Sequence, residues 1–320
     1  MKPWFFGSLV ALAVMLPVLT PAAVQDAPAM KRPVPRLSSG QPDLQGVWSF
    51  AIPIPLERPT SSDDERRPRR VDAIPEHERG RPINGELPPI GNYNAFWFDQ
   101  GPPVVADRRT SLIVDPPDGK VPPLTAEGSK KASARRAALE RPPSGPEDRS
   151  VAERCILGFN AGPPMNPGAY NNNVQLFQTR DTVVIVNEMV HNARIIPLDG
   201  RPHLPSGVRQ WSGDSRGHWE GDTLVVETTN FTDKTSWRGS GDEMRLTERF
   251  TRVDVDTLLY EYTVDDPTMF TKPWTARIAM PRTMDRIFEY ACHEGNHGMI
   301  GILSGARALE NRSAEGTSKR

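Results

Sequence analysis

The second half of the chain repeats one pattern: short runs of alternating apolar and polar residues, separated by clusters of Gly, Asp, Asn and Pro. A period of two sends successive side chains to opposite faces, which predicts β-strands with one buried face. Asp199-Gly200 and Glu220-Gly221-Asp222 are typical of tight turns between antiparallel neighbours. The pattern predicts strands over Val174–Gln178, Thr182–Met189, Ala193–Leu198, Val208–Trp211, Trp219–Thr229, Met244–Val253, Thr257–Val264, Thr275–Met280 and Arg286–Cys292.

Strands joined by short turns form a meander, and a meander of this length must curl or close to hide its edges. We therefore predict a mainly β fold, an antiparallel meander closing into a lipocalin-like barrel or a strongly curled sheet, with one or two short helices. The Gly46-Val47-Trp48 run resembles the opening strand of lipocalin-type barrels. One helix is predicted from the N-cap Thr125 to Pro142, and a second over Gly298–Leu309.

The chain divides into regions of different composition. Residues 1–29 are predicted to be a signal peptide, and residues 30–150 form a proline-rich irregular region with the first strands and one helix. Residues 151–310 form the antiparallel β core, and residues 311–320 are predicted to be a disordered tail.

The N-terminus has the features of an export signal. Lys2 precedes an apolar run from Trp4 to Leu19, and Ala27-Pro28-Ala29 fits a small-x-small cleavage site, with cleavage after Ala22 or Ala23 as alternatives. The other interpretation is an uncleaved N-terminal anchor. We expect a secreted or periplasmic protein that keeps no stable membrane span after cleavage.

Composition narrows the classes of partner. The chain has 320 residues, 37% of them hydrophobic, with 33 prolines and a formal net charge of -1. Such a charge gives no overall field that would attract nucleic acid or an anionic membrane. A small-molecule ligand is therefore the expected partner, and nucleic acid is not expected.

The two cysteines, Cys155 and Cys292, lie near the two ends of the predicted β core. In an oxidising compartment an isolated pair most simply forms one disulfide. Two free buried thiols or a catalytic cysteine are the alternatives.

His293-Glu294-Gly295-Asn296-His297 matches the His-Glu-x-x-His spacing of zinc proteases. That motif works on a helix, which places both imidazoles on one face with the Glu as base. Here the motif follows a predicted strand, and Gly295-Asn296 favour a turn. We therefore do not predict a zinc site or any other cofactor, and we expect His293 and Asn296 to have capping or turn roles.

Most predicted core strands carry one carboxylate near the middle. Inward-facing carboxylates would form a polar cavity suited to acid–base chemistry, whereas outward ones would form weak cross-strand ion pairs. Our hypothesis is that Glu227, Glu248 and Glu261 share a cavity, with His218 as the safer partner. The carboxylates are Glu188, Glu227, Glu248, Glu261 and Glu289, and their candidate partners are His191, Arg194, His218, Arg249 and Arg277.

The stretch from Trp211 to Trp219 places Asp214, Arg216 and His218 between two tryptophans. It is interpreted either as the rim of a site for an aromatic or sugar-like ligand, or as an ordered hairpin with both tryptophans in the core. The chain contains no nucleophile elbow, phosphate-binding Gly loop or dinucleotide fingerprint.

Leu44 to Arg307 as a whole resembles a secreted bacterial family of β-rich, lipocalin-like proteins. The resemblance implies a fold but no activity. Its matching stretches are Arg109–Gly119, Asn171–Gln178, Ala193–Leu204, Gly213–Phe231, Phe250–Pro267 and Glu289–Asn296.

Two functional classes remain, with a structural envelope protein as a third if no cavity exists. The first class, which we favour, binds a small, partly apolar ligand through Trp211, Asp214, Arg216, Trp219, Glu227 and Glu248. The second is a cofactor-independent or metal-assisted hydrolase, lyase or isomerase acting in the same cavity, with candidate catalytic residues Glu188, His191, His218 and Glu261.

Overall fold

A computed structural model describes residues 33–60, 109–234 and 238–318, all within one compact unit. Outside this described part lie residues 1–32, which include the predicted signal peptide, residues 61–108 of the proline-rich region, residues 235–237 and the last two residues. In it, ten strands are β1 Gly46–Ser49, β2 Ile113–Asp115, β3 Asn173–Gln178, β4 Thr182–Asn187, β5 Ala193–Pro197, β6 Asp214–Glu220, β7 Thr223–Thr229, β8 Arg245–Arg252, β9 Thr257–Asp265 and β10 Trp274–Thr283. The helices are α1 Ala126–Glu140 and α2 His297–Ser318, with short 3-10 turns at Pro146–Asp148 and Met189–His191.

The strands form one antiparallel sheet in the order β5-β4-β3-β1-β10-β9-β8-β7-β6, and β2 also pairs with β10. Two meanders, β3 to β5 and β6 to β10, are joined by β1, which pairs with β3 on one side and β10 on the other. The mainly β antiparallel meander predicted from the sequence is therefore confirmed. The proline-rich region contributes β1 to the middle of the same sheet.

One face of the sheet carries the core. In β9, Leu258, Tyr260, Tyr262 and Val264 are fully buried, while the residues between them are partly exposed. Aromatic rings continue this face across neighbouring strands, with ring centroids 4.9 Å apart for Phe250 and Tyr260. The alternation that predicted strands thus also produces a continuous apolar inner face.

The two edge strands, β5 and β6, face each other. Eight antiparallel steps separate them in the sheet order, so they run in the same direction. A methyl group at Gly217 of β6 would lie 2.6 Å from Leu198 Cδ2 and 2.9 Å from Ile196 Cγ2, so the strands approach closely there. Among the described residues no strand ladder joins β5 to β6, and the sheet is curled rather than hydrogen-bonded into a closed barrel. We call this junction the seam.

Three predicted strands differ from the structure. Val208–Trp211 makes only an isolated bridge at Gln210, because Val208 to Gln210 are exposed and a strand there would bury no apolar face. Arg286–Cys292 is irregular, because β9 and β1 already occupy both sides of β10 and Phe288 stays 67% exposed. Trp219–Thr229 is the β6–β7 hairpin, which turns at Gly221-Asp222.

Both predicted helices are present. Thr125 caps α1, and its hydroxyl accepts a hydrogen bond from the Gly128 amide at 2.9 Å. Helix α2 runs to Ser318, well past Leu309, where the sequence predicted its end. None of the described helices is both long enough and apolar enough to span a membrane.

The predicted Cys155–Cys292 disulfide is confirmed, with a Cα–Cα distance of 5.7 Å. It fixes the segment that follows β10 to the loop that precedes β3. Helix α2 begins five residues later, and its Arg307 donates to the carbonyls of Pro143 and Ser144. The disulfide therefore ties these two loop regions to each other.

Candidate functional site

A cleft of about 690 Å³ opens at the seam. The starts of β5 and β6 form its walls, whereas further along both strands Leu198 and Ile196 close the seam against Gly217. Residues just after Cys155 form a third wall. The lining residues are Ile156, Leu157, Asn192, Ala193, Arg194, Ile195, Leu204, Arg209, Gln210, Trp211, Ser212, Gly213, Asp214, Ser215 and Arg216.

The inner wall of the cleft contains a buried ion pair. Arg194 of β5 donates to Glu248 of β8 through Nη1 at 2.6 Å and Nη2 at 2.9 Å, and both side chains are almost fully buried. Tyr260 of β9 donates to the same carboxylate at 2.7 Å and accepts from the Met165 amide at 3.1 Å. A bidentate, charge-assisted pair of this kind offsets the cost of burying both charges. It also ties edge strand β5 to β8 and β9 across the interior.

Burial, and then the charge of Glu248, raise the pKa of Tyr260 well above its ordinary value. The pKa of Arg194 is raised as well, because the attraction and hydrogen bonds of Glu248 outweigh the lowering caused by burial. Tyr260 is therefore a hydrogen-bond donor and Arg194 a cation throughout the physiological pH range. The group carries no net charge when Glu248 is ionised.

The β6 wall of the cleft contains a second charged group. The buried Asp214 receives hydrogen bonds from the Leu204 amide at 3.0 Å and pairs with Arg216 at 2.9 Å. Its other contact is His203, whose Nδ1 lies 2.8 Å from Asp214 Oδ2. Asp214 and Arg216 were predicted here from the sequence, but His203 was not, because it lies in an irregular loop between Pro202 and Pro205.

Only one of the two predicted rim tryptophans lines the cleft. Trp211 is half-buried there, with the Arg154 guanidinium 5.8 Å from its ring centroid. Trp219 lies on the inner face of β6 and packs against the core. The stretch between them is largely strand β6, so the hairpin interpretation is confirmed in part, with Trp219 against the core.

The three carboxylates proposed to share a cavity point in different directions, and that hypothesis is wrong. Glu248 is fully buried on the inner face, while Glu227 is exposed on the outer face. Glu261 also faces outward and pairs with Arg277 at 2.9 Å. The partner of Glu248 is Arg194 rather than His218, which is half exposed beside Glu220.

The four candidate catalytic residues do not form one group. Glu188 is buried at the end of β4, where Asn173 Nδ2 donates to it at 3.0 Å, and His191 is exposed in the following turn. His218 lies on β6 and Glu261 on β9, with β7 and β8 between them. Neighbouring strands are about 4.8 Å apart, so these side chains cannot act on one small substrate together.

The His-Glu-x-x-His motif lacks the helical geometry that zinc binding requires. His293 and Glu294 lie in a turn, and His297 is the first residue of α2. Glu289 lies in the irregular segment before them. Within the described ranges, no three His, Cys, Asp or Glu side chains are grouped so that they could hold a metal ion.

Searches with protein-family models and against curated proteins give no match for this chain.

Proposed function

We propose that the protein binds a small, partly apolar ligand in the cleft at the seam. The observation that carries this proposal is the cleft itself, whose lining combines six apolar side chains with eight polar or charged ones. Its volume is within the range of roughly 300–1,000 Å³ that small-molecule sites occupy.

The apolar part of the lining comes from all three walls. Ile156 and Leu157 follow the disulfide, and Ile195 and Leu204 flank the seam. Ile195 is 70% exposed and Leu204 is 38% exposed, so a ligand here would cover apolar surface that water now contacts. Burying such surface is worth roughly 25 cal/mol per Å².

A cation stands at the mouth. Arg209 lines the cleft, and its Nη1 donates to the backbone carbonyls of Phe231 and Asp242. Backbone carbonyls hold a guanidinium in place without cancelling its charge. Arg209 therefore favours ligands with a polar or anionic group at the outer end.

The proposal extends to a lipocalin-like arrangement of the sheet. Lipocalins hold a small ligand inside a curled antiparallel barrel. The close approach of β5 and β6 at Gly217 supports the comparison, with the ligand entering where the seam opens.

The proposal is tested by titrating the protein with 1-anilinonaphthalene-8-sulfonate, which joins apolar rings to an anion. We expect saturable 1:1 binding that also changes the fluorescence of Trp211. Leu204→Ser should weaken binding about tenfold, since it removes an apolar side chain from the lining. Phe177→Ser, a control on exposed β3 surface, should leave it unchanged. Unsaturable binding, or equal effects of the two substitutions, would count against the cleft.

The His203–Asp214 contact favours a second candidate function, general-base catalysis, because His203 adjoins Leu204 and Asp214, which both line the cleft. A carboxylate hydrogen-bonded to Nδ1 orients an imidazole and leaves Nε2 to accept a proton. With 4-nitrophenyl acetate as the probe, an enzyme should show saturable turnover that His203→Asn lowers about 100-fold. His218→Asn, on the surface of β6, is the control. If hydrolysis is unchanged in His203→Asn, general-base catalysis by His203 is rejected and only the binding function is retained.

We also propose that the protein works outside the cytoplasm, secreted or in a periplasm. The disulfide supports this, because such bonds persist in oxidising compartments, and so does the apolar run after Lys2. N-terminal sequencing of the exported protein should find a start after Ala29, or after Ala22 or Ala23. Full-length protein with free thiols in the cytoplasm would contradict the proposal.

A further inference from the structure

Three polar side chains form a patch on the inner face of the sheet where the cleft begins. Asn187 of β4 lies directly across from Asn192, since the Asn187 amide donates to the Asn192 carbonyl at 2.9 Å. The next inward pair of this ladder is Ile185 and Arg194. Asn192 has an extended backbone and immediately precedes β5, so its side chain lies on the same face as Arg194. Asn192 and Arg194 both line the cleft, and Asn187 stands behind them.

Several polar atoms of this patch have no hydrogen-bond partner in the part of the chain that the structure describes. They are Nδ2 of Asn192, Nε of Arg194, and both side-chain atoms of Asn187. Asn187 is fully buried. Folded proteins rarely leave buried polar atoms unpaired, and such atoms in a cleft are normally satisfied by bound molecules.

The unpaired atoms at the cleft wall are both donors. Glu248 already uses Nη1 and Nη2 of Arg194, which leaves Nε–H for another acceptor. Asn192 contributes an amide N–H two residues away along the strand, about 6.5–7 Å between Cα atoms. A single ligand oxygen between the two side chains could accept from both.

The charge around the patch selects the kind of oxygen. Arg194 and Glu248 neutralise each other, so a carboxylate placed here would bring an uncompensated negative charge into a buried region. A neutral carbonyl oxygen accepts two hydrogen bonds without adding charge.

We propose that Asn192 Nδ2 and Arg194 Nε bind the carbonyl oxygen of an uncharged ketone, ester or amide group at the inner end of the ligand. This assignment rests on the proposed binding function and names the chemical class that the cleft selects. The apolar remainder of the ligand then lies against Ile156, Leu157 and Leu204 towards the mouth.

The experiment compares three naphthalene probes that differ in one substituent: 2-acetylnaphthalene, 2-isopropylnaphthalene and 2-naphthoate. Equilibrium dialysis against the exported protein gives a dissociation constant for each probe. We expect 2-acetylnaphthalene to bind about tenfold more tightly than the isopropyl compound, which has the same shape without the oxygen. The carboxylate of 2-naphthoate can pair with Arg209 at the mouth instead, so its binding should not depend on the two donors.

Two variants locate the oxygen. Asn192→Ala should reduce the acetyl-over-isopropyl preference to less than about threefold, while isopropyl binding stays unchanged. Arg194→Lys keeps the positive charge opposite Glu248 but lacks the Nε donor, so it should reduce the preference to the same extent. This second variant tests the assignment even if Asn192→Ala disturbs the β4–β5 hairpin. Gln175→Ala removes an amide from the outer face of β3, outside the cleft lining, and should leave the preference intact.

The outcomes separate the two proposals. If all three probes fail to bind, the binding function and this inference both fail. If the acetyl and isopropyl probes bind equally well, the cleft binds ligands but the donors hold only water, and the inference is overturned. An acetyl-over-isopropyl preference that survives both Asn192→Ala and Arg194→Lys overturns it as well.

Discussion

At the scale of single residues, the inner face of the sheet depends on one charged group. Arg194 and Glu248 are 54 residues apart in the chain and pair where their neighbours are apolar. Tyr260 donates to the same carboxylate. Each member satisfies another, so removing any one of them leaves a buried polar atom without a partner.

Replacing Glu248 with Gln should lower the free energy of unfolding by about 3–5 kcal/mol, because it leaves the Arg194 guanidinium buried without a counter-charge. Urea denaturation measures the loss. Glu261→Gln is the matched control on the next strand, where the pair with Arg277 is partly exposed and should be worth less than about 1 kcal/mol. Similar losses in the two variants would mean that the buried ion pair contributes no more to the free energy of unfolding than the partly exposed one.

The raised pKa of Tyr260 predicts a loss of stability at alkaline pH. Above a pH of about 10 the unfolded chain releases this phenolic proton and the folded chain keeps it, so unfolding releases a proton. Stability should therefore fall as pH rises, by about 1.4 kcal/mol per pH unit for each such group. Tyr262, whose pKa burial also raises, adds a second. Urea titrations across alkaline pH measure how steeply the free energy of unfolding falls with pH. Tyr260→Phe should make this slope shallower by the contribution of one tyrosine, and an unchanged slope would contradict a raised pKa of Tyr260.

At the scale of elements, the seam is the feature that creates the cleft. Strands β5 and β6 lie at the two ends of the main sheet order, and every strand between them is hydrogen-bonded to a partner on both sides. The edges meet only through side chains, and they meet most closely where β6 has a glycine. The missing side chain at Gly217 lets Ile196 and Leu198 of the β5 segment reach the β6 backbone.

Gly217→Val should therefore push the seam apart. We expect a loss of about 1–3 kcal/mol in the free energy of unfolding from overpacking, together with weaker binding of 1-anilinonaphthalene-8-sulfonate. Thermal denaturation and the fluorescence titration measure the two effects. Gly207→Val tests the same change where a Cβ would meet no atom within 4 Å, and it should be nearly neutral. A stable Gly217→Val variant with unchanged binding would show that the strands are not held together at this point.

At the scale of the whole molecule, the disulfide connects the β core to the cleft. Cys155 and Cys292 are 137 residues apart, and nearly all of the sheet lies between them. Ile156 and Leu157 of the cleft wall follow Cys155 directly. The bond thus anchors one wall of the cleft as well as closing a long loop.

Reduction of this bond should lower the free energy of unfolding by about 4–5 kcal/mol in the chain-entropy model. It should also weaken binding of the fluorescent probe, since the wall at Ile156 loses its anchor. Urea denaturation with and without reductant gives the first value, and a probe titration gives the second. The Cys155→Ser/Cys292→Ser double variant should resemble the reduced protein and be insensitive to reductant. A wild-type midpoint that does not change on reduction would contradict this role.

The sequence by itself determined the class of fold and most of the strands. Period-two alternation is a local property, and Gly221-Asp222 and the Thr125 cap act within a few residues, so they can be recognised without tertiary information. The disulfide was predicted from two cysteines in a chain that the sequence predicts to be exported. Glu248 also carried a readable signal, because its face includes Leu246 and Phe250, whereas the face of Glu227 includes Thr229 and turns outward.

The tertiary structure decided where the strands meet and which polar groups share a space. Alternation shows that a strand has two faces, but the curl and register of the whole sheet determine what lies opposite each side chain. The Arg194–Glu248 pair joins β5 to β8, which are not neighbours in the sheet order. The cleft lies between the two strands at the ends of that order. Neither relation is encoded in any local stretch, because both arise only when the sheet bends far enough to bring its first and last strands together.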